Sequence, residues 1–358
     1  MTDYLVNYRR TRRPGYIPGV NPYPYVLPSS LAVITIDESK CGTADSTNFP
    51  MYFGGTYDGT GGEPDLRTVA NGGRITSDNG YDISFYSDAD CTDLLDFERV
   101  GWSATTGLCE FWVRIPTLSS STDTVIYMKY GDGSVITDLQ DKAGTWNSNF
   151  GLVSHQPDGS TLSAVDSTTY GNSGSITGAT AEAGKIDGGA NFDGNDYITY
   201  PFPDGVTYDH TFTISMWAKH NTTLSLTNMY NLSDGAKSLS INYWYSNGQM
   251  LAGLNGTYWS GLHSDVNVAN WHLYHFVADD LGARIKIYAD GVDQTIAGAG
   301  SLGNVVYNTF DISRGLGGAY QSVMSSDEVR VLNTDVSTSW ITSEYNNQSS
   351  PSTFYTIT

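Results

Sequence analysis

The sequence is short of cysteine, of positive charge, of glutamate and of long apolar runs, and each shortage excludes something. Three cysteines in 358 residues, Cys41, Cys91 and Cys109, rule out a disulfide scaffold, and the odd count leaves at least one thiol free. Cys109 alternates with Phe111, Val113 and Ile115 and is read as an inert core thiol; no metal-ligand spacing surrounds any of the three. Lys and Arg together number 18 against 38 Asp and Glu, a net charge of -20, which excludes nucleic acid as a partner of the body because phosphate contacts need a basic surface. Asp far outnumbers Glu and sits largely beside Gly and Asn, where turns need it. No apolar run reaches the ~18 residues of a membrane-spanning helix, so no membrane insertion is expected. The opening MTDYLVNYRRTRRPGY has a basic cluster with no apolar segment behind it, which predicts no secretory signal.

What the chain has in quantity is aromatic residues and glycine: 25 Tyr, 8 Trp and 39 Gly favour many short strands and tight turns. The composition is all-β, and the length suits two domains. The clearest stretch is WHLYHFVADDLGARIKIYADG, Trp271 to Gly291, which predicts two alternating strands joined by an Asp279-Asp280-Leu281-Gly282 turn. Trp271, Leu273, His275 and Val277 share one face of the first arm, and His272, Tyr274 and Phe276 the other. The second arm is expected to have a dry face of Ile285, Ile287 and Ala289 and a wet one of Arg284, Lys286, Tyr288 and Asp290.

Four segments follow in order. Residues 1–30 carry Arg9, Arg10, Arg12 and Arg13 against one Asp3, about +3, and so leave about -23 for the rest. Pro14, Pro18, Pro22, Pro24 and Pro28, interleaved with Tyr16, Tyr23 and Tyr25, favour an extended chain. This arm is read either as a disordered tail or as a basic docking arm that orders on another protein. Residues 31–135 hold runs at Leu31–Ile36, Phe49–Phe53, Tyr81–Tyr86, Leu94–Trp102, Leu108–Ile115 and Asp123–Tyr130, broken by Gly-Asn-Asp turns, which predicts a β-sandwich or barrel, of which the sandwich is taken. Residues 136–165 are polar and read as a junction, and 166–358 as a second domain.

The run DISFYSDADCTDLLDFERVGWSATTGLCEFWVRIPTLSSSTDTVIYMKYGDGS resembles an uncharacterised domain, known only as a domain of unknown function, that precedes LamG-like modules in bacterial surface and phage proteins. The likeness covers roughly residues 31–135 and implies a fold with no assigned chemistry. From Asp166 onward, GKIDGGANFDGNDYITY, FTISMWAKH, the hairpin and DEVRVLN resemble the concanavalin A-like LamG superfamily, which implies a jelly-roll sandwich closed by a short helix around Thr338 to Tyr345. Related chains carry a Trp-His-Leu strand at the start of this module; here Leu152-Val153-Ser154-His155 stands there, so that strand is expected to be an edge or missing.

Several constellations hold residue types that catalysis or binding could use. Glycoside hydrolysis needs two carboxylates ~5–9 Å apart; no Glu-x-Asp-x-x-Glu run occurs, and Asp327 and Glu328, as neighbours on a strand, are expected on opposite faces. Gly298, Gly300 and Gly303 match a dinucleotide fingerprint but precede a strand rather than a helix. Gly171 to Ser175 misses the nucleophile-elbow spacing by one residue. His272 and His275, three apart on a strand, cannot share a metal, and His275 is read as a core residue with its partners satisfied. LamG-like modules often bind calcium, and Asp193, Asn195 and Asp196 are the candidate ligands, in a loop that equally suits a strand-linking turn. Candidate carbohydrate-binding residues are Tyr243, Tyr245, Tyr258 and Trp259 with Asn255 and His263, because a pyranose stacks on a ring beside hydrogen-bonding side chains.

These readings combine into a non-enzymatic virion accessory protein, fastened to a capsid or other virion protein through residues 1–30 and displaying a lectin-like domain that binds glycans at a virion surface. A bacterial extracellular carbohydrate-binding module is the competing expectation and a glycoside hydrolase the third; a homo-oligomer is left open.

Overall fold

The structure, a computed structural model, describes residues 29–157, 161–201, 211–220, 227–234, 238–244, 249–254, 257–262, 270–279, 284–297, 307–318 and 321–358. It is all-β, built from two sandwiches. The first contains β1 (Ser30–Ile36), β2 (Ser46–Thr56), β3 (Ile83–Tyr86), β4 (Phe97–Trp102), β5 (Leu108–Leu118) and β6 (Thr124–Tyr130). One of its sheets runs β3-β6-β1, the other β2-β5-β4, and Phe53, Phe85, Phe97 and Phe111 meet between them with ring centroids 5.3–6.4 Å apart. All six strands overlap the runs expected from alternation.

The second sandwich contains β7 (Phe150–Ser154), β8 (Ser175–Thr177), β9 (Thr180–Ala183), β10 (Gly188–Asp193), β11 (Tyr197–Pro201), β12 (Phe212–His220), β13 (Thr227–Ser233) and β14 (Ser238–Trp244). It continues with β15 (Gln249–Leu254), β16 (Thr257–Leu262), β17 (His272–Asp279), β18 (Arg284–Ala289), β19 (Val292–Asp293), β20 (Thr295–Ala297), β21 (Thr309–Ile312) and β22 (Val323–Leu332). One sheet is ordered β19-β18-β17-β12-β22-β10-β9, with β7 also on β22; the facing sheet is β20-β16-β15-β14-β13-β21-β11-β8. Phe192, Tyr200, Ile214, Tyr230, Phe276, Ile287 and Phe310 fill the space between.

The expected boundaries shift in two places. The stretch beginning at Phe150 was assigned to the junction, but its five residues are all buried and β7 pairs with β22 from Val329↔Ser154 to Leu332↔Phe150, so the second sandwich begins here. The strand that the resemblance left as an edge or missing is present and is an edge, paired among the described residues only with β22. At the other end, 338–358 do not belong to the second sandwich alone. The last strand, β23 (Tyr355–Ile357), pairs with β1 as Ile34↔Ile357 and Ile36↔Tyr355, while Phe354 and Tyr355 enter the first core. Apolar residues at the chain end cover the open edge of β1, which otherwise presents unpaired backbone groups.

After a one-turn α1 (Lys142–Thr145) ahead of β7, the main helix α2 (Thr338–Ser349) lies between the sandwiches, and Ser337 caps it by accepting the Trp340 N–H at 3.1 Å. A short α3 (Pro351–Phe354) follows it. The helix buries polar residues because both neighbours supply partners: Asn347 accepts from the Tyr52 N–H at 2.6 Å, Ser343 from the Gly42 N–H at 3.0 Å, and Gln348 from Trp217 Nε1 at 2.6 Å. It also changes the reading of the Trp271–Gly291 hairpin. The arms pair as expected, Phe276↔Ile287 and Ala278↔Ile285, with Tyr274, Phe276, Ile285 and Ile287 in the core. The expected wet face is partly dry: Tyr288 is 4% exposed and packs with Val277 against Ile341 of the helix. Residues 280–283 of the turn lie outside the described residues.

Candidate functional site

A polar groove of about 500 Å³ opens where the end of β13, the strand β21 and the loop after it meet. Its centre is Asp311, nearly buried, whose Oδ1 accepts from Thr199 Oγ1 at 2.5 Å and from Arg314 Nη2 at 2.8 Å. The Arg314 guanidinium lies 3.8 Å from the Tyr197 ring centroid, so the cation is held between a carboxylate and an aromatic face. Ser233 and Thr309 share a 2.7 Å hydroxyl contact across the strand pair, and the exposed Asn308 and half-buried Asp234 stand at the rim. Gly317 and Gly318, with φ of 71° and 84°, let the loop wall bend away and keep the groove open. Fixed acceptors and donors around a concave floor suit a ligand made of hydroxyls. Asp311, Asn308 and Arg314 were not singled out from the sequence; the one local signal is the Asp311–Arg314 spacing of three behind a strand.

The proposed calcium ligands sit in the crossover from β10 to β11, which leads from one sheet to the other. They do not converge outward. Asp196 is 8% exposed and its Oδ2 accepts the Asp193 N–H at 2.9 Å, while Asp193 Oδ1 accepts the Asn195 N–H at 3.1 Å. Asp196 Oδ1 lies against Gly178, where an added Cβ would stand 1.9 Å away. The donor set fits a turn closed on itself rather than a cation shell that needs six to eight oxygens. Among the described residues, only Asp37, Glu38 and Asp123 bring three acidic ligand atoms within 4.8 Å of one another, and there Asp123 Oδ1 already accepts the Glu38 N–H.

Of the candidate sugar-binding aromatics, Tyr243 lies on β14 opposite Met250, and Tyr258 and Trp259 lie on β16 opposite Gly253 and Ala252. Tyr245, Asn255 and His263 lie outside the described residues. So do Arg9, Arg10, Arg12, Arg13, Tyr16, Tyr23 and Tyr25 of the arm, and the glycines at 298, 300 and 303.

The histidine reading holds in part: the two rings have separate partners and His275 is buried, but among the described residues its Nδ1 has no hydrogen-bond partner. His272 Nδ1 meets Asp290 Oδ2 at 2.7 Å, and His275 Nε2 meets Glu344 Oε2 at 2.9 Å. His275 is one end of a buried chain of charges that sequence reasoning missed. Glu344 Oε1 accepts from Arg330 Nη1 and Glu328 Oε2 from Arg330 Nη2, both at 2.9 Å. The Glu328 carboxylate then meets His155 Nδ1 at 2.9 and 3.0 Å, and His155 Nε2 meets Glu98 Oε2 at 3.1 Å. Glu98, on β4 of the first sandwich, also accepts from Trp146 Nε1, from Ser167 Oγ at 2.8 Å and from Lys142 Nζ at 2.9 Å. Arg330 stacks over Trp112 at 4.0 Å.

The electrostatics follow from this packing. Burial alone would push the His155 pKa down, but Glu328 and Glu98 flank the ring and raise it to about 10. Burial works against ionised Glu344, yet His275 and Arg330 hold its pKa down at about 2. Asp327 is the opposite case: burial, then the adjacent Glu328, drive its carboxyl well up, while its Oδ2 accepts the Lys185 and Ile186 N–H groups at 2.8 Å. The simple alternation used to separate Asp327 from Glu328 is broken here. The β12–β22 register slips between Ser215 and Trp217, Glu328 has φ of 50°, and two residues of β22 oppose Met216. Both acids are enclosed, 0% and 1% exposed, which makes them structural. Cys109 is fully buried with its thiol pKa pushed well up by burial, as expected of an inert core residue.

With this geometry in hand, comparisons place part of the chain. The family described as Domain of unknown function (DUF2341) matches residues 79–159, beginning and ending later than the 31–135 stretch expected. A search of curated proteins returned no match. Among solved structures, the chain is similar to the botulinum neurotoxin serotype D binding domain, at 13% identity over 58% of this chain and 53% of that one, with a TM-score of 0.44. It is also similar to the receptor binding domain of the botulinum neurotoxin C/D mosaic serotype, at 14% identity over 56% and 51%, TM-score 0.45. A third is from botulinum neurotoxin type C, whose cell entry is described as dependent on two ganglioside molecules, at 14% identity over 57% and 52%, TM-score 0.44. The chain thus spans about half the length of the solved structures it matches. At these identities, with TM-scores under 0.5, the likeness carries no argument about what the chain does.

Proposed function

We propose that the chain is a non-enzymatic, lectin-like surface protein that holds a neutral glycan in the rim groove of its second sandwich and is fastened to a virion through residues 1–30. The observation that carries the binding role is the Thr199–Asp311–Arg314–Tyr197 cluster, which fixes a carboxylate, a guanidinium and hydroxyls around an open concavity. Sugar hydroxyls both donate and accept, and such pre-oriented planar groups bind them with little ordering cost. In the groove the Asp311–Arg314 pair is neutral, and the body beyond the arm carries about -23, so sialylated ligands are repelled. The virion location rests on the arm, whose positive charge opposes that of the body.

Two experiments test the two halves of this reading. A glycan array on the full chain is expected to report neutral glycans, with Asn308→Ala weakening them about tenfold; a blank array at millimolar affinity overturns the binding role. Deleting residues 1–28 removes the arm and leaves β1 whole, since its pairing starts at Ser30↔Tyr130. The truncated protein is expected to fold but to lose particle association, and continued decoration of particles refutes the anchoring role.

A further inference from the structure

The outer face of the β3-β6-β1 sheet carries an apolar and aromatic row. Register builds it: Leu94 bridges to Tyr86, Tyr86 pairs with Tyr127 and Tyr127 with Val33, so four side chains share one face over about 14 Å. Leu31 and Val125 flank the row, two residues from Val33 and Tyr127 along their strands. Leu94, Leu31 and Val125 are 42%, 46% and 38% exposed, three of the ten large apolar residues that stand exposed among the described residues. Single exposed residues of this kind are ordinary, but a contiguous patch marks an interaction surface.

One end of this face is acidic. Asp37 and Glu38 follow β1 and Asp123 precedes β6, and the three bring carboxylate oxygens within 4.8 Å of one another. The hairpin between Tyr86 and Leu94 adds Asp88, Asp90 and Asp93 beside the row. Within 37–40 and 87–93 the one cation is Lys40, and Lys129 on the face itself is paired with Asp132 at 2.8 Å. Such a surface is complementary to a segment with rings at one end and positive charge at the other.

The chain carries that segment. Residues 1–28 lie outside the described residues, and the chain enters the fold at Ser30, which pairs with Tyr130 at the end of β1 away from Asp37, Glu38 and Asp123. Read back from this joint, Tyr25, Tyr23 and Tyr16 come first and Arg13, Arg12, Arg10 and Arg9 follow. An extended chain from Pro28 to Arg13 covers about 46 Å at ~3.1 Å per residue, and the face from Ser30 to Ile36 is about 20 Å long. That reach allows a reversal at the joint with the tyrosines over the apolar row and the arginines over the acids. Tethering supplies an effective concentration of about millimolar, so contacts that are weak between separate molecules suffice.

We propose that the outer face of the first sandwich is a docking surface for the chain's own residues 9–25, which fold back onto it in the isolated protein. This docking stands whether or not the arm also fastens the protein to a virion, and its test contains no particle.

The test is hydroxyl-radical footprinting of the full chain, read by mass spectrometry, beside a full chain carrying Arg9→Glu, Arg10→Glu, Arg12→Glu and Arg13→Glu. These substitutions leave residues 29–358 untouched, so the two melting temperatures should agree closely. A surface ion pair is worth about twofold in a binding constant, so four reversals should weaken docking about tenfold or more. Oxidation of Leu31, Tyr86, Leu94 and Tyr127 is expected to rise severalfold in the variant, while the exposed Val292 of the second sandwich stays constant. A body variant with Asp37→Asn, Glu38→Gln and Asp123→Asn keeps the local hydrogen-bond acceptors and should raise oxidation of the same row. Equal oxidation of the row in the wild type and both variants overturns the proposal. A rise in the arm variant alone overturns the placing of the arginines on Asp37, Glu38 and Asp123. Protection that is lost on dilution of the protein means that the arm comes from a second copy, and overturns docking within one chain.

Discussion

Replacing Arg330 by Met tests whether the buried charge chain holds the two sandwiches together. The guanidinium is 1% exposed and makes two ion pairs at 2.9 Å, with Glu328 and Glu344. Around it Glu328 faces Arg330 and protonated His155, Glu344 faces Arg330 and His275, and Glu98 faces His155 and Lys142. Removing Arg330 takes the shared cation from both the Glu328 and the Glu344 carboxylates, at a cost of about 3–5 kcal/mol. Loss of its stack on Trp112 adds about 0.5–2 kcal/mol, part of which the Met side chain restores. Urea unfolding followed by tryptophan fluorescence should therefore show a midpoint shift equivalent to at least about 3 kcal/mol. A companion protein carrying Arg330→Met, Glu328→Gln and Glu344→Gln removes the stranded charges together with the cation and should recover to within about 1–2 kcal/mol of the wild type, since buried ion pairs are close to neutral against uncharged replacements. A single variant costing under about 1 kcal/mol, or a triple variant no better than the single one, refutes the reasoning.

The same chain sets the pH dependence. His155 is raised from 6.5 to about 10, so its contribution is fully present below 6.5 and is lost as pH rises through 10; Glu344 is lowered from 4.5 to about 2, so its contribution is present above 4.5 and is lost as pH falls through 2. Thermal melts should decline on both sides of that window, and a His155→Gln protein whose alkaline limb is as steep as wild type contradicts the assignment. Deleting residues 355–358 should lower the stability of the first sandwich, because β23 covers the β1 edge and the Tyr355 hydroxyl bonds Tyr57 and the Gly54 N–H at 3.1 Å. Hydrogen exchange should then rise at residues 33–36, and unchanged protection there would show that the edge does not depend on β23.

Much of the architecture was legible because strand alternation is a local property with a period of two. The β5 face of Cys109, Phe111, Val113 and Ile115 is buried as its alternation predicts, and the same rule separated His272 from His275. Alternation failed where a bulge interrupts it, at Glu328, and where a second layer covers a face that looked wet, at Tyr288. Neither has a signature in the neighbouring residues. The scarcity of Glu is itself a signal: in a chain that places Asp in turns, Glu98, Glu110, Glu328 and Glu344 are all buried.

The sequence by itself determined the all-β class, the position of most strands in the first sandwich, the inert core thiol and the contrast between a basic arm and an acidic body. These depend on composition and on residues a few positions apart. Tertiary structure decided the rest. The first and last described strands, β1 and β23, pair with each other, and His155 joins Glu98 and Glu328 across 57 and 173 residues. Pairings at such separation are settled by which buried edges and charges find partners when the sandwiches dock, and no local pattern encodes that outcome.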